Sequence, residues 1–142
     1  MINIDYHLNL EDLQPHFDRF WELSGDKIKK IEEELPAGMG APVFTRDGKY
    51  TSRGWTEWTL GFQYGSSLLQ FDASDDDYYL KTGRNGTLEK MSNHLTHTGV
   101  HDHAFNHVST YGNLLRLLRE GRLKDEKWER RFYELALKVS GA

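Results

Sequence analysis

The sequence predicts an all-α protein made of antiparallel helical hairpins, with a small β-hairpin near residues 43–52. Three observations support this fold class. Hydrophobic residues recur at steps of three, four and seven over most of the 142 residues, which is the periodicity of helices. The predicted helices have short connections and alternate between one apolar face and an apolar surface nearly all round, which favours two stacked layers. A strand-type pattern surrounds Asp47–Gly48, a dipeptide typical of hairpin turns.

The composition excludes several classes of protein. The chain has a formal net charge of -4 and no basic block, so it lacks the cations that nucleic-acid binding requires. No apolar run is long enough to cross a bilayer and no secretory signal is recognisable, so we expect a cytoplasmic protein that does not enter membranes. The absence of cysteine excludes disulfides and thiolate chemistry.

The first predicted helix runs from about Asp12 to Leu35, and Pro36 ends it. Its apolar stripe consists of Leu13, Phe17, Trp21, Ile28, Ile31 and Leu35. Gly25 lowers the helix propensity locally, so a kink is an open alternative there. The hairpin follows, from Val43 to Ser52.

The second predicted helix, from about Trp55 to Ala73, carries apolar or small residues on every side, so we expect it to be buried all round. One side holds Trp58, Phe62 and Leu69, and another holds Leu60, Tyr64 and Phe71. Gly61 and Gly65 are four residues apart, a spacing that lets a neighbouring backbone approach closely.

Three more helices are predicted after the second. The acidic residues 75–77 start a third helix that reaches about Leu95, and a fourth runs from about Phe105 to Glu120, with Gly121 at its C-cap. Asp125 caps a fifth. We expect the second and fourth helices to form an inner layer, and the first, third and fifth an outer layer.

A polar cluster lies between the third and fourth helices, where five of the seven histidines fall within residues 94–107. Three interpretations are open. In the first, the histidines cap helix ends and bind loop carbonyls. In the second, His103 and His107, which are four residues apart, bind a metal ion together with Asp102, although no H-E-x-x-H motif is present. In the third, Asp102 is a general acid/base and the histidines position a substrate.

Trp55 and Trp58 allow two interpretations as well. They are either buried in the core or form a platform at the mouth of a cleft, where indole faces stack on sugar rings.

Two motifs together resemble those of the unsaturated glucuronyl hydrolases. Residues 58–65 read W-T-L-G-F-Q-Y-G, similar to the W-x-x-G-F-x-x-G of that family's second helix, and D-D-D-Y-Y-L at 75–80 resembles the start of its next helix. Residues 101–105 read H-D-H-A-F, similar to the family's H-D-x-G-F, with Ala104 in place of glycine. The motifs follow the family's order over roughly residues 55–120.

The resemblance implies an (α/α)6 toroid, the architecture of six-hairpin glycosidases, and hydration of the 4,5 double bond of an unsaturated uronic acid. It assigns Asp102 as general acid/base and Trp58 and His101 to the sugar site, to which we expect Trp55 and His103 to contribute. The implied partner is an oligosaccharide substrate, with no metal and no organic cofactor.

Two other functions remain open. One is a saturated β-glucuronidase of a related toroid family, which needs a second carboxylate. The other is a non-catalytic helical module that binds carbohydrate or protein. Because a closed ring needs roughly 250–350 residues, we expect residues 1–142 to be the N-terminal part of a toroid, inactive alone and prone to form homo-oligomers.

Overall fold

A computed structural model describes residues 5–35, 38–54, 57–97 and 102–141. The helices are α1 (Leu10–Glu34), α2 (Leu60–Ser74), α3 (Asp77–Lys90), α4 (His103–His107), α5 (Asn113–Arg119) and α6 (Lys127–Ser140). A 3-10 turn (Ser92–His94) follows α3, a π-helical turn (Val108–Gly112) joins α4 to α5, and β1 (Pro42–Arg46) pairs antiparallel with β2 (Lys49–Ser52). The predicted helical fold with one small hairpin is therefore confirmed.

Helix α2 and the continuous α4–α5 segment lie side by side and run in the same direction. Gly61 packs against Asn106 and, one turn later, Gly65 packs against Ser109. Farther along, Asp72 on α2 pairs with Arg116 on α5 at 2.7 Å. The contacts advance together along both helices, so the two are parallel neighbours.

The other helices run in the opposite direction and form a second layer. α3 returns along α2, because Gly83 packs on Leu68 and Gly86 packs on Tyr64. α6 returns along the α4–α5 segment, and α1 lies antiparallel to α2 through Gln63–Glu32 and Gln70–Trp21 hydrogen bonds. The second and fourth predicted helices thus form one layer, and the first, third and fifth form the other.

Several local signals act as the sequence predicts. Asp76 caps α3, its carboxylate accepting the Tyr78 amide at 2.9 Å. Asp47 and Gly48 form the hairpin turn with φ of 52° and 75°. Gly121, with φ 71°, ends α5 as the predicted C-cap.

Some predicted boundaries are wrong for physical reasons. α2 begins at Leu60 rather than Trp55, because the amides of Phe62 and Gln63 bond to the Thr59 carbonyl and Thr59 takes the N-cap position. The regular part of α3 ends at Lys90, short of Leu95.

At the other end of the chain, Asp125 does not cap α6. Its carboxylate pairs with the Arg130 guanidinium at 2.8 Å, and Glu126 takes the N-cap position instead. In α1, Gly25 introduces no break, since the helix continues to Glu34. Its missing side chain leaves room for Tyr79, whose hydroxyl lies 2.5 Å from where a Cβ would stand.

The core lies between the two layers and is completed by large aromatic and aliphatic side chains. Its fully buried members include Leu68, Tyr111, Leu114, Leu117 and Tyr133. The expectation that α2 is buried all round is wrong on one side, where Phe62 is 42% and Leu69 is 44% exposed. Within the described part of the chain, no element covers that side.

Candidate functional site

The parallel course of α2 and α4 brings the two motif-bearing segments to one end of the molecule. Trp58 stands two residues before α2, and Asp102 stands immediately before α4. Since neighbouring parallel helices have their N-termini at the same end, two motifs separated by more than forty residues share one surface.

Asn106 joins these segments. Its side chain is fully buried, and its Oδ1 accepts the Gly61 amide at 2.8 Å while its Nδ2 donates to the Glu57 carbonyl at 3.4 Å. Asn106 Nδ2 also lies 3.1 Å from Nδ1 of His94, a residue in the turn that follows α3. One side chain therefore holds the start of α2, the start of α4 and the turn after α3 in register.

The glycine spacing of α2 is explained by this junction. A Cβ on Gly61 would overlap the Asn106 backbone, and one on Gly65 would lie 2.7 Å from the Ser109 carbonyl oxygen. The close approach that the glycines predicted is thus made by α4 and the π-helical turn.

Three exposed aromatic side chains form a cluster at the same end. The Trp58 ring lies 5.6 Å from that of Phe62 and 6.1 Å from that of Phe105, and Phe62 and Phe105 are 5.8 Å apart. Each remains exposed, so the cluster presents apolar ring surface to solvent. Such a surface is the kind on which the C–H faces of sugars stack.

Asp102 lies one helical turn from this aromatic surface. It is half-buried, and its carbonyl oxygen accepts the Phe105 amide at 3.0 Å, which fixes the first turn of α4. Two of the predicted sugar-site residues, Trp55 and His101, lie outside the described residues.

His103 is placed differently from a residue that lines an open cleft. Only 7% of it is exposed, and its ring centroid lies 4.5 Å from that of His97 and 5.5 Å from that of His94. His103 Nε2 contacts His97 Nδ1 directly. His107 stacks on the other side at 6.1 Å.

The environment favours the neutral forms of His103 and His107. Burial lowers the pKa of His103, with a further contribution from His97, while Asp102 opposes the shift. Burial also lowers the pKa of His107 to about 4, helped by His103 and His94. His107 Nδ1 bonds to Ser140 Oγ at 2.6 Å, which ties α4 to the end of α6.

The metal interpretation finds no matching geometry in the described ranges. There, no three histidine or carboxylate side chains converge on a point that a cation would occupy. The spacing of His103 and His107 produces ring stacking, with an interplanar angle of 18°. None of the described helices is both long and apolar enough to span a membrane.

The sequence does not predict three residues that contribute to this end of the molecule, namely Asn106, Phe62 and Phe105. The two phenylalanines nevertheless stand inside the two motifs that resemble the family. A buried asparagine four residues after the motif aspartate carries no recognisable sequence signal, because its role depends on a partner 45 residues away.

Comparisons of the chain with family models, with curated proteins and with solved structures gave no match.

Proposed function

We propose that this protein is a glycoside hydrolase that acts on uronic-acid-containing oligosaccharides, with Asp102 as general acid/base. The observation that supports this most directly is the Asn106 junction, which joins the Trp58 segment to the helix that follows Asp102. Asp102 stands one helical turn before Phe105 of the exposed aromatic cluster. Aromatic rings supply apolar contact area, and a positioned carboxyl group is able to transfer a proton.

The proposed reaction is the one that the family resemblance implies. The carboxylic acid of Asp102 gives a proton to C4 of the unsaturated uronide, and its carboxylate takes a proton from the water whose oxygen bonds to C5. The C5 hemiketal formed in this way opens by breaking its bond to the ring oxygen, which leaves a hemiacetal at C1. The bond from C1 to the linking oxygen then breaks, the hemiacetal proton goes to that oxygen, and the next sugar leaves as an alcohol. Hydration uses one water and needs no oxidant or reductant.

The described residues have different roles in the proposed site. The Trp58, Phe62 and Phe105 cluster offers a stacking surface, and Asp102 supplies the proton. Because His103 is buried and its pKa is lowered, its role in the proposal is to support the segment around Asp102 as a neutral side chain. His101 remains assigned to the sugar site on the resemblance, and Trp55 on the interpretation of its indole as a stacking platform.

A parallel pair of helices flanked by antiparallel ones is also the local arrangement that the (α/α)6 toroid repeats. We include the toroid in the proposal on this ground, together with the two sequence motifs. A saturated β-glucuronidase on the same architecture is the alternative enzyme.

The exposed aromatic cluster also fits a second function, a non-catalytic module that binds carbohydrate. Asp102→Asn distinguishes the two in the intact protein, with unsaturated disaccharide as substrate. We expect cleavage, followed as the loss of ultraviolet absorbance of the 4,5 double bond, to fall by about 10²–10⁴-fold while binding persists.

Asp77→Asn, a change at an exposed acid in α3, is the matched control and should leave turnover unchanged. Turnover that is equal in the Asp102 variant and the parent would contradict the assignment. Binding without turnover in the parent would favour the module.

A further inference from the structure

A cleft lies beside the β-hairpin, and neither Asp102 nor Trp58 is part of it. It has a volume of about 730 Å³ and opens between the end of α1, the residues after β2, the start of α2 and the end of α3. Its volume lies in the range typical of small-molecule sites.

Two cationic residues line this cleft from different elements. Arg53 follows β2, and Lys90 is the last residue of α3. Among the described residues, neither pairs with a carboxylate; the Arg53 guanidinium instead lies 5.6 Å from the Phe44 ring centroid. Cations without a carboxylate partner at the wall of a cleft favour an anionic ligand.

The cleft also limits how much negative charge that ligand carries. Glu32 lines the same wall, and its Oε1 accepts a hydrogen bond from Gln63 Nε2 at 2.9 Å. Two cations and one carboxylate give a net charge of +1, which matches one carboxylate better than a phosphate dianion.

The remaining lining fits a sugar. Leu35, Met39 and Leu60 supply apolar wall, and the amides of Gln63 and Asn93 supply donors and acceptors for hydroxyl groups. This combination matches a ring with apolar C–H faces, several hydroxyls and a single carboxylate.

The hairpin fixes one side of this cleft. The Arg53 amide donates to the Ala41 carbonyl at 3.3 Å, which closes the hairpin at its base. Gly40 lies against the Arg53 carbonyl so closely that a Cβ there would overlap it. The backbone position of Arg53 is therefore set by the folded hairpin and does not depend on a ligand.

We propose that this cleft is a second binding site for a carboxylated sugar, with Arg53 and Lys90 holding the carboxylate. The choice of a sugar acid rests on the proposed function, whereas the preference for one carboxylate follows from the charges of the cleft. In this proposal the hairpin helps to bind one part of an acidic oligosaccharide at a site that does not include Asp102.

The test is a titration of the ¹⁵N-labelled intact protein with galacturonic acid, with galactose as the neutral probe. We expect galacturonic acid to shift the amide signals of Arg53, Gln63 and Asn93, and galactose to bind more weakly. Arg53→Gln and Lys90→Gln should each weaken galacturonic acid binding by roughly five- to tenfold. Lys27→Gln, a change at an exposed lysine on α1 outside the cleft, should leave it unchanged.

Three outcomes would overturn the second site: no shifts at the cleft, equal binding of galactose, or full binding by both Arg53→Gln and Lys90→Gln. Shifts confined to Trp58 and Phe105 would also overturn it while supporting the proposed catalytic end. Failure of the proposed function shows separately, as absent cleavage of the unsaturated disaccharide in a protein whose cleft binds galacturonic acid.

Discussion

Asn106 and Gly61 form the most demanding contact in the molecule at the scale of single residues. The Asn106 side chain satisfies the Gly61 amide at the start of α2, where helix amides lack partners within their own helix. Gly61 is essential to this approach because any side chain would meet the Asn106 backbone.

Gly61→Ala should therefore destabilise the fold strongly. The added methyl must push α4 away from α2 and stretch the buried hydrogen bond, at an expected cost of about 2–3 kcal/mol in the free energy of unfolding. Urea denaturation followed by circular dichroism measures this loss. Gly54→Ala is the matched control, since a Cβ there meets no atom within 4 Å, and a similar loss in both variants would contradict the prediction.

His107 should make stability depend on pH. Its pKa is lowered from 6.5 to about 4 in the folded protein, so the unfolded chain binds more protons between these values. The free energy of unfolding should therefore fall as the pH drops from about 6.5 to 4. Once His107 is protonated in both the folded and the unfolded protein, the total loss is about 3 kcal/mol. The lowered pKa of His103 acts in the same direction.

Urea denaturation at several pH values tests this dependence. His107→Asn lowers stability at neutral pH but should flatten its decline on acidification. His16→Asn, at an exposed histidine on α1, should keep the slope of the parent protein. An unchanged slope in His107→Asn would show that His107 is not the titrating group.

At the scale of elements, the parts that follow from local sequence were predictable. The amphipathic stripes, the Asp76 cap, the Asp47–Gly48 turn and the Gly121 C-cap each depend on neighbouring residues only. The helix boundaries that were predicted wrongly depend on competing bonds. For example, Asp125 pairs with Arg130 and therefore does not cap α6.

The candidate site was predictable in part for the same reason. The motifs indicated Asp102 and Trp58 as important, but not the bond that joins their segments. The exposed side of α2 was missed because an apolar surface on a helix does not reveal which neighbour covers it.

One ion pair links α3 to α6 within the second layer. Glu129 is buried, and Arg84 Nε donates to its Oε1 at 2.9 Å from a half-buried position. Arg84→Met should cost about 2–3 kcal/mol because it leaves a buried carboxylate without a counter-charge. The double variant Arg84→Met with Glu129→Leu should recover most of the loss, since both charges are removed.

The matched control for this pair is an exposed one. Arg19 and Glu22 on α1 pair at 2.7 Å with both side chains more than half exposed. Arg19→Met should change the free energy of unfolding by less than about 0.5 kcal/mol. Equal losses in Arg84→Met and Arg19→Met in chemical denaturation would refute the role of the buried pair.

At the scale of the whole molecule, the apolar surface is distributed unevenly. One apolar strip follows the uncovered side of α2 and α4, with Trp58, Phe62, Leu69, Phe105 and Val108. A second strip follows α6, where Trp128, Leu135 and Val139 are each about half exposed. Contiguous apolar patches of this kind are uncommon on monomeric proteins and favour association.

The α6 strip should therefore drive self-association of the 142-residue chain. We expect sedimentation velocity to show concentration-dependent oligomers, and Leu135→Glu to shift the distribution toward monomer because it places a charge in the strip. Asn85→Glu adds the same charge at an exposed position on α3 and should leave the distribution unchanged. A monomer at all concentrations, or equal effects of the two variants, would show that this strip does not mediate contacts between copies of the chain.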